Sequence, residues 1–201
     1  MAIILNTHTP FAVPIHEWTD VLSDKENKKL ESYALKLEKN TSSNYISNVN
    51  GFQSDPKTPE TEVELKPLYK KIEHCFNEFA SHMRYKTKIN AQFTKGWFNI
   101  NRKDSYNLLH THPGCNFACC YYIKVPKDSG DIVFKNPISE ERHTNHFEYD
   151  AYNSFNSIDY IIKAEKSKLL IWPAYMEHMV KQNKTNEARI SFSLNLKIYD
   201  V

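Results

Sequence analysis

The spacing of apolar residues changes near residue 90, and that change constrains the fold more than any other feature of the chain. Before it, Ile15 to Leu22 followed by Lys25 to Leu37, and then Val63 to Met83, carry apolar side chains at helical intervals. In the second stretch Val63, Leu65, Leu68, Ile72, Cys75, Phe76 and Phe79 lie where one helix face would collect them. Between the two, Asn40 to Glu60 is rich in Asn, Ser, Pro and Asp and reads as a long loop or a partly extended segment. After residue 90 the apolar residues gather into short aromatic and β-branched runs. These are Ala91 to Asn101, Phe117 to Val125, Asp131 to Phe134, Asp159 to Ile162, Lys168 to Trp172 and Ala188 to Ile198, each expected to be a strand. Helices followed by evenly spaced strands predict an α+β, mainly β fold. The expected form is a jelly roll, the cupin-like double-stranded β-helix, with the N-terminal helices packed outside. At 201 residues the chain suits a single domain. Residues 1–89 would form a helical support region and residues 90–201 the double-stranded β-helix core.

Charge and cysteine content remove several classes of partner. Lys and Arg number 26 against 24 Asp and Glu, so net charge gives no support to nucleic-acid binding. The lysine-rich stretch from Lys25 to Lys39 reads as the solvated face of a helix. No apolar run approaches a membrane span, so no membrane partner is expected. The opening residues carry no basic, apolar leader pattern, which leads to an expected cytoplasmic location, in a bacterial or phage-infected cell. Four unevenly spaced cysteines, Cys75, Cys115, Cys119 and Cys120, do not form a disulfide framework and are expected to be reduced.

The chemistry concentrates in the β half. His110 and His112, in Leu-Leu-His-Thr-His-Pro-Gly, are one residue apart, and alternate residues of a strand project to one face. A metal gripped by that pair could take a third ligand from His178. A ferrous ion that activates dioxygen needs about three protein ligands on one side and open positions on the other. Neutral imidazole suits it, and affinity should fall as the histidines protonate. Arg189 stands 11 residues past His178, with Ser191 on the same strand face. A planar, permanently charged guanidinium binds both oxygens of a buried carboxylate. Alone, a His-x-His pair is ordinarily surface or core, and a strand arginine is ordinarily solvated or salt-bridged. The ordered set singles them out. Of Tyr121 and Tyr122, one is expected in the core and the other in a site. Trp97 and Trp172 are expected to pack the barrel, and His74, His82, His143 and His146 are read as incidental.

Taken in order, Trp97-Phe-Asn99, Tyr106 to His110, His112-Pro-Gly, Tyr121-Tyr122, Gly130 to Phe134, and His178 followed by Arg189-Ile-Ser191 resemble the Fe(II)/2-oxoglutarate-dependent dioxygenase superfamily. The likeness is to the prolyl-hydroxylase-like branch and its small bacterial and phage oxygenases. It spans roughly residues 90 to 198, and Ser47 to Ser54 looks like a piece of the family's N-terminal part. The resemblance implies Fe(II) held by His110, His112 and His178. It implies 2-oxoglutarate chelating that metal, its far carboxylate reaching Arg189 and Ser191, with Tyr122 donating to the same carboxylate and Asn99 nearer the metal. Oxygen would be the other cosubstrate and ascorbate a supporting reductant. Decarboxylation of 2-oxoglutarate to succinate would be coupled to hydroxylation of an unidentified protein side chain or small molecule.

One departure stands out. Most members of the superfamily carry a carboxylate where this chain has His112, and a neutral ligand there leaves the centre one unit more positive. Glu177 or Asp104 could supply the carboxylate instead. A halogenase is disfavoured, because those relatives leave this position empty. Two other readings remain open from the residues alone. One is a three-histidine cupin-type dioxygenase that does not use 2-oxoglutarate. The other is a non-enzymatic metal-binding jelly-roll module, including a closed zinc site of His110, His112, Cys115 and Cys119. Asn44 to Ser54 and Lys135 to Asn156 are long enough to form a pocket wall or lid.

Overall fold

A computed structural model describes residues 12–85, 90–137, 150–153 and 156–199. The order is β1 (His16–Trp18), α1 (Asp24–Asn40), β2 (Asn48–Val49), β3 (Phe52–Gln53), a 3-10 turn (Val63–Leu65) and α2 (Lys66–His82). Then come β4 (Asn90–Phe93), β5 (Trp97–Asn101), β6 (Tyr106–His110), β7 (Phe117–Lys124), β8 (Ile132–Lys135), β9 (Asp159–Ile162), β10 (Leu169–Pro173), β11 (His178–Val180) and β12 (Arg189–Tyr199). Among the described residues the strands form a seven-stranded sheet, β1-β10-β7-β12-β5-β3 with β4 also on β12, and a five-stranded sheet, β2-β6-β11-β8-β9. Every pairing is antiparallel. This is the expected mainly β architecture with two helices on one face.

Alternation along β7 explains how one sheet serves two cores. Phe117, Cys119, Tyr121 and Ile123 join the helix-side core, whereas Ala118, Cys120 and Tyr122 join a second core with Ile132, Phe134, Leu170, Trp172 and Met176. A strand buried on both faces must be apolar throughout, and Phe117 to Ile123 is. On the helix side Leu68, Ile72, Phe76 and Phe79 of α2 are at most 1% exposed. Burial of that kind stabilises by about 1.5–3 kcal/mol per side chain. Helix α1 starts at a capping box in which Ser23 accepts from Glu26 N while Glu26 Oε2 accepts from Ser23 N at 2.8 Å.

Several expectations need correction. Ile15 to Leu22 is not helical: His16–Trp18 pairs with β10, His16 opposite Ile171. Pro14 disfavours helix in the residue before it, and Val13 and Ile15 pack on the inner core while Trp18 packs on the helix side, a period of two. The N-terminal half therefore contributes strands as well as helices, β1 and β3 to the larger sheet and β2 to the smaller one. His82, read as incidental, sits with Nδ1 2.9 Å from His16 Nε2, and His74 lies 3.6 Å from Glu78. His143 and His146 lie outside the described residues.

The run from Ala91 to Asn101 is two strands, β4 and β5, broken at Thr94 to Gly96. Both pair with β12, β4 along Leu196 to Tyr199 and β5 along Arg189 to Ser193. The break has a steric cause at Gly96, where a Cβ would overlap the Phe192 ring and stand 2.8 Å from the Ser193 carbonyl oxygen. Phe192 is fully buried and cannot yield without disturbing the helix-side core. Gly96→Ala should therefore lower stability by about 1–3 kcal/mol. Chemical denaturation checks this, and an unchanged midpoint would show that the backbone accommodates the methyl group.

Candidate active site

The three histidines come from two places on the five-stranded sheet. His110 ends β6 and His178 begins β11, and the antiparallel register sets them directly opposite each other. His112 lies two residues beyond His110, its backbone N–H donating at 2.9 Å to the carbonyl of Ala174, just past the end of β10. The result is a group whose ligand nitrogens all lie within 4.8 Å of one another. The His110 and His178 rings are 4.3 Å apart and those of His112 and His178 5.0 Å, nearly parallel.

Hydrogen bonds fix which nitrogens face inward. His110 Nδ1 donates to Leu108 O at 2.7 Å and His178 Nδ1 donates to Met176 O at 2.9 Å, since a carbonyl can only accept. The Nε2 lone pairs are thereby left for the interior. His112 Nε2 and His178 Nε2 are 3.2 Å apart. Two ligands at right angles on one ion, each at about 2.1 Å, would be separated by about 3.0 Å, so the pair fits a shared metal. Burial holds the rings neutral: His178 is pushed down to about 3 and His112 to about 4, with the charge of His110 adding to both, and burial lowers His110 too.

Below the triad, β12 presents alternate residues to the same cavity. It has a volume of about 680 Å³ and is lined by His110, His112 and His178 together with Arg189, Ser191, Tyr122 and Asn99. All seven residues singled out in the sequence thus share one space. Arg189 is 2% exposed, and its Nη1 donates to Gly130 O at 2.7 Å. Gly130 has φ 95°, and a Cβ there would overlap the Lys181 carbonyl oxygen, so only glycine brings this carbonyl to the guanidinium. Burial draws Arg189 below its usual value and pushes the Tyr122 hydroxyl well up, each group also responding to the other and to Asp131.

Several side chains of the cavity wall carry buried polar atoms without partners. Among the described residues Gln53 Oε1, Asn99 Oδ1, Trp172 Nε1, Arg189 Nε and Asn195 Oδ1 are buried without a hydrogen bond, and all five side chains line it. Unpaired buried polar groups are costly, and their concentration here marks a space shaped for a polar ligand. Of the five, Trp172 Nε1 and Arg189 Nε can donate, as an anionic group requires, and the three carboxamide oxygens can only accept.

Several expectations resolve on this geometry. Glu177 is exposed, Asp104 accepts from Gln182 Nε2 at 2.9 Å, and neither belongs to the histidine group. The group likewise lacks Cys115 and Cys119, and Cys119 packs in the helix-side core, so the four-ligand zinc site is not formed. All four cysteines are free thiols. Tyr121 is the core tyrosine, donating to Asn27 Oδ1 at 2.7 Å, and Tyr122 is the one in the cavity. Trp97 and Trp172, expected to pack the barrel, both line the cavity, with ring centroids 6.1 Å from His112 and 4.9 Å from His178. Trp172 packs in the inner core as well. Of the two proposed lid segments, Asn44 and Gln53 of the first line the cavity, and most of the second lies outside the described residues. Gln53, Ser193, Asn195, Lys95 and Lys197 went unnoticed. Ser193, Asn195 and Lys197 were available from the alternation of β12 with Leu194 and Leu196, while Gln53 was covered only by the proposed wall segment Asn44 to Ser54.

Three convergent neutral imidazoles that could hold a metal ion thus share one jelly-roll cavity with a buried guanidinium. A family model described as "Putative 2OG-Fe(II) oxygenase" matches residues 95–195, which run from β5 into β12 and contain all seven residues. The chain belongs to this family of 2-oxoglutarate- and Fe(II)-dependent oxygenases, and is an oxidoreductase. No curated protein sequence is a significant match. Among solved structures, the viral collagen prolyl hydroxylase of Paramecium bursaria Chlorella virus-1, in its 2-oxoglutarate complex, is similar over 90% of this chain and 94% of its own, with 14% identity and TM-score 0.61. A Pseudomonas putida prolyl-4-hydroxylase is similar over 92% of each chain, with 9% identity and TM-score 0.64. The epimerase SnoN, in complex with Fe3+, α-ketoglutarate and nogalamycin RO, is similar over 92% of this chain and 79% of its own, with 14% identity and TM-score 0.68. At these identities the likeness is one of fold. Among the described residues no helix is long and apolar enough to cross a membrane.

The depressed histidines make stability depend on pH. Their folded-state values lie below the ordinary 6.5, so as pH falls the unfolded chain takes up protons first. The stabilisation is complete above about pH 6.5 and is lost as pH falls from there toward the folded values. The melting temperature of metal-free protein should decline between pH 6.5 and 5, before ordinary carboxylates titrate. A level melting temperature across that window would contradict the burial of the triad.

Proposed function

We propose that the protein hydroxylates a substrate C–H bond while decarboxylating 2-oxoglutarate to succinate, with His110, His112 and His178 as the metal ligands. The observation that carries this reading is the coincidence, in one cavity, of three inward-facing imidazoles with a fully buried arginine whose Nε lacks a partner. Bound Fe(II) would supply dioxygen activation, so that substrate C–H, oxygen and 2-oxoglutarate become substrate C–OH, succinate and carbon dioxide.

The chain's own residues position and enclose. Arg189, steadied by the Gly130 carbonyl, pairs with the far carboxylate of 2-oxoglutarate, and Ser191 and the Tyr122 hydroxyl donate to the same group. Asn99 lines the cavity and donates its amide nitrogen to Ser193 Oγ at 3.2 Å, which fixes that side chain's orientation. Phe134 and Trp172 pack on His178, with centroids at 5.9 and 4.9 Å, and keep water from the triad's inner side. Ascorbate is proposed as the reductant that maintains ferrous iron. The substrate is a protein side chain or a small molecule, and cytoplasmic location remains part of the proposal.

Anaerobic addition of Fe(II) and 2-oxoglutarate should give a weak visible charge-transfer band, and His178→Ala should abolish it. A colourless wild-type protein shown by metal analysis to hold iron would overturn the assignment. Arg189→Ala should weaken 2-oxoglutarate by about 30-fold or more, as expected when a charged hydrogen-bond partner worth about 2–5 kcal/mol is removed, while iron affinity changes little. Equal 2-oxoglutarate binding by that variant would remove Arg189 from its role. Aerobic turnover that consumes oxygen without releasing succinate would favour the three-histidine chemistry that needs no 2-oxoglutarate.

A further inference from the structure

The cavity extends past the proposed 2-oxoglutarate site, and its charge is one-sided. Along β12, Ile190, Phe192, Leu194 and Leu196 enter the helix-side core while Arg189, Ser191, Ser193, Asn195 and Lys197 line the cavity, a polar ladder with a cation at each end. Lys95 joins it from the break between β4 and β5. The connection is tight: Thr94 N donates to Asn195 O at 2.9 Å and Asn195 N donates to Thr94 Oγ1 at 3.1 Å, a clasp that ties the segment of Lys95 to the strand of Lys197. Lys197 stands about 13 Å along the strand from Ser193, which is paired with Trp97 beside His112.

Among the described residues no Asp or Glu lines this cavity, and neither lysine has a carboxylate within ion-pair distance. The chain's other cavity cation, Arg189, is already engaged if it holds 2-oxoglutarate. Asp131 acts on Arg189 but does not line the cavity. The triad adds to the imbalance, because three neutral imidazoles leave a divalent ion one unit more positive than two imidazoles and a carboxylate would.

We infer that Lys95 and Lys197 bind an anionic group, a carboxylate, phosphate or sulfate, of the primary substrate, whose body lies along Trp97 and whose oxidisable carbon reaches the triad. This rests on the reading of the triad and Arg189 as the iron and 2-oxoglutarate sites, since only then are the two lysines left for a second anion. The substrate is therefore an elongated acid rather than a neutral or cationic molecule, and its recognition weakens with salt.

The test uses protein loaded anaerobically with Fe(II) and 2-oxoglutarate, titrated with the aromatic sulfonate 8-anilinonaphthalene-1-sulfonate and with its uncharged parent, N-phenyl-1-naphthylamine. Wild type should bind the sulfonate more tightly than the parent. Lys95→Gln with Lys197→Gln should weaken the sulfonate about tenfold, two partly exposed ion pairs, and leave the parent unchanged. Competition by hexanoate against hexyl phosphate identifies which anion the clasp prefers. Wild type that does not favour the sulfonate, or a double variant that keeps its affinity or loses both dyes equally, would overturn the proposal. The visible band of the loaded protein reports separately on the iron and 2-oxoglutarate reading, so a missing band and an indifferent clasp are distinguishable failures.

Discussion

One cross-strand register governs the site: His178 of β11 directly opposite His110 of β6. Side chains on a strand alternate between faces, so a slip of one residue would turn His178 away and bring Met179 in. The neighbouring pairing resists such a slip. β11 is held on its other side by β8, with His178 opposite Phe134, and Phe134 is fully buried. A register shift recorded between His178 and Val180 on the β6 side is absent on the β8 side, so β8 acts as the template and β6 adapts. The pocket chemistry is thus a consequence of ordinary core packing one strand away.

The larger sheet supplies the rest by a similar device. β12 is bonded to β7 on one edge and to β5 and β4 on the other, so its alternation is doubly enforced and its polar residues have no escape from the cavity. Gln53, Asn99, Ser191 and Tyr122 form a row across β3, β5, β12 and β7. Rigid strands are suited to holding groups whose work is positioning, and the buried Arg189 in particular depends on the Gly130 carbonyl staying in place. The unpaired polar atoms on these strands are tolerated in the folded chain because the surrounding cores, on both faces of the sheet, over-determine their positions.

Much of this was legible in the sequence, for physical reasons that differ by element. Helix α2 and strands β7 and β12 announced themselves because their burial is one-sided or complete, which imposes a pattern. The grouping of the triad with Arg189 was legible because the metal and carboxylate chemistry proposed for them demands particular residue types in order. What was not legible depends on contacts far along the chain. His16–Trp18 is a strand because β10 offers an edge, and the break at Gly96 exists because Phe192 fills the space. Gln53 reaches the cavity only through the short pairing of β3 with β5. The tryptophans were read as packing because a side chain that both packs and lines a cavity carries no separate sequence mark; Trp172 does both. His82 found His16 across a helix–strand contact that no local spacing encodes.

A carboxylate bound in place of His112 would restore the commoner ligand set and remove the extra positive charge. X-ray absorption on Fe(II)-loaded protein under anaerobic conditions addresses it directly by counting imidazoles bound to the ion. Three imidazole scatterers in wild type and two in His112→Ala are the predicted result. Two imidazoles in both proteins would contradict it, because the third ring would then stand beside the metal without binding it.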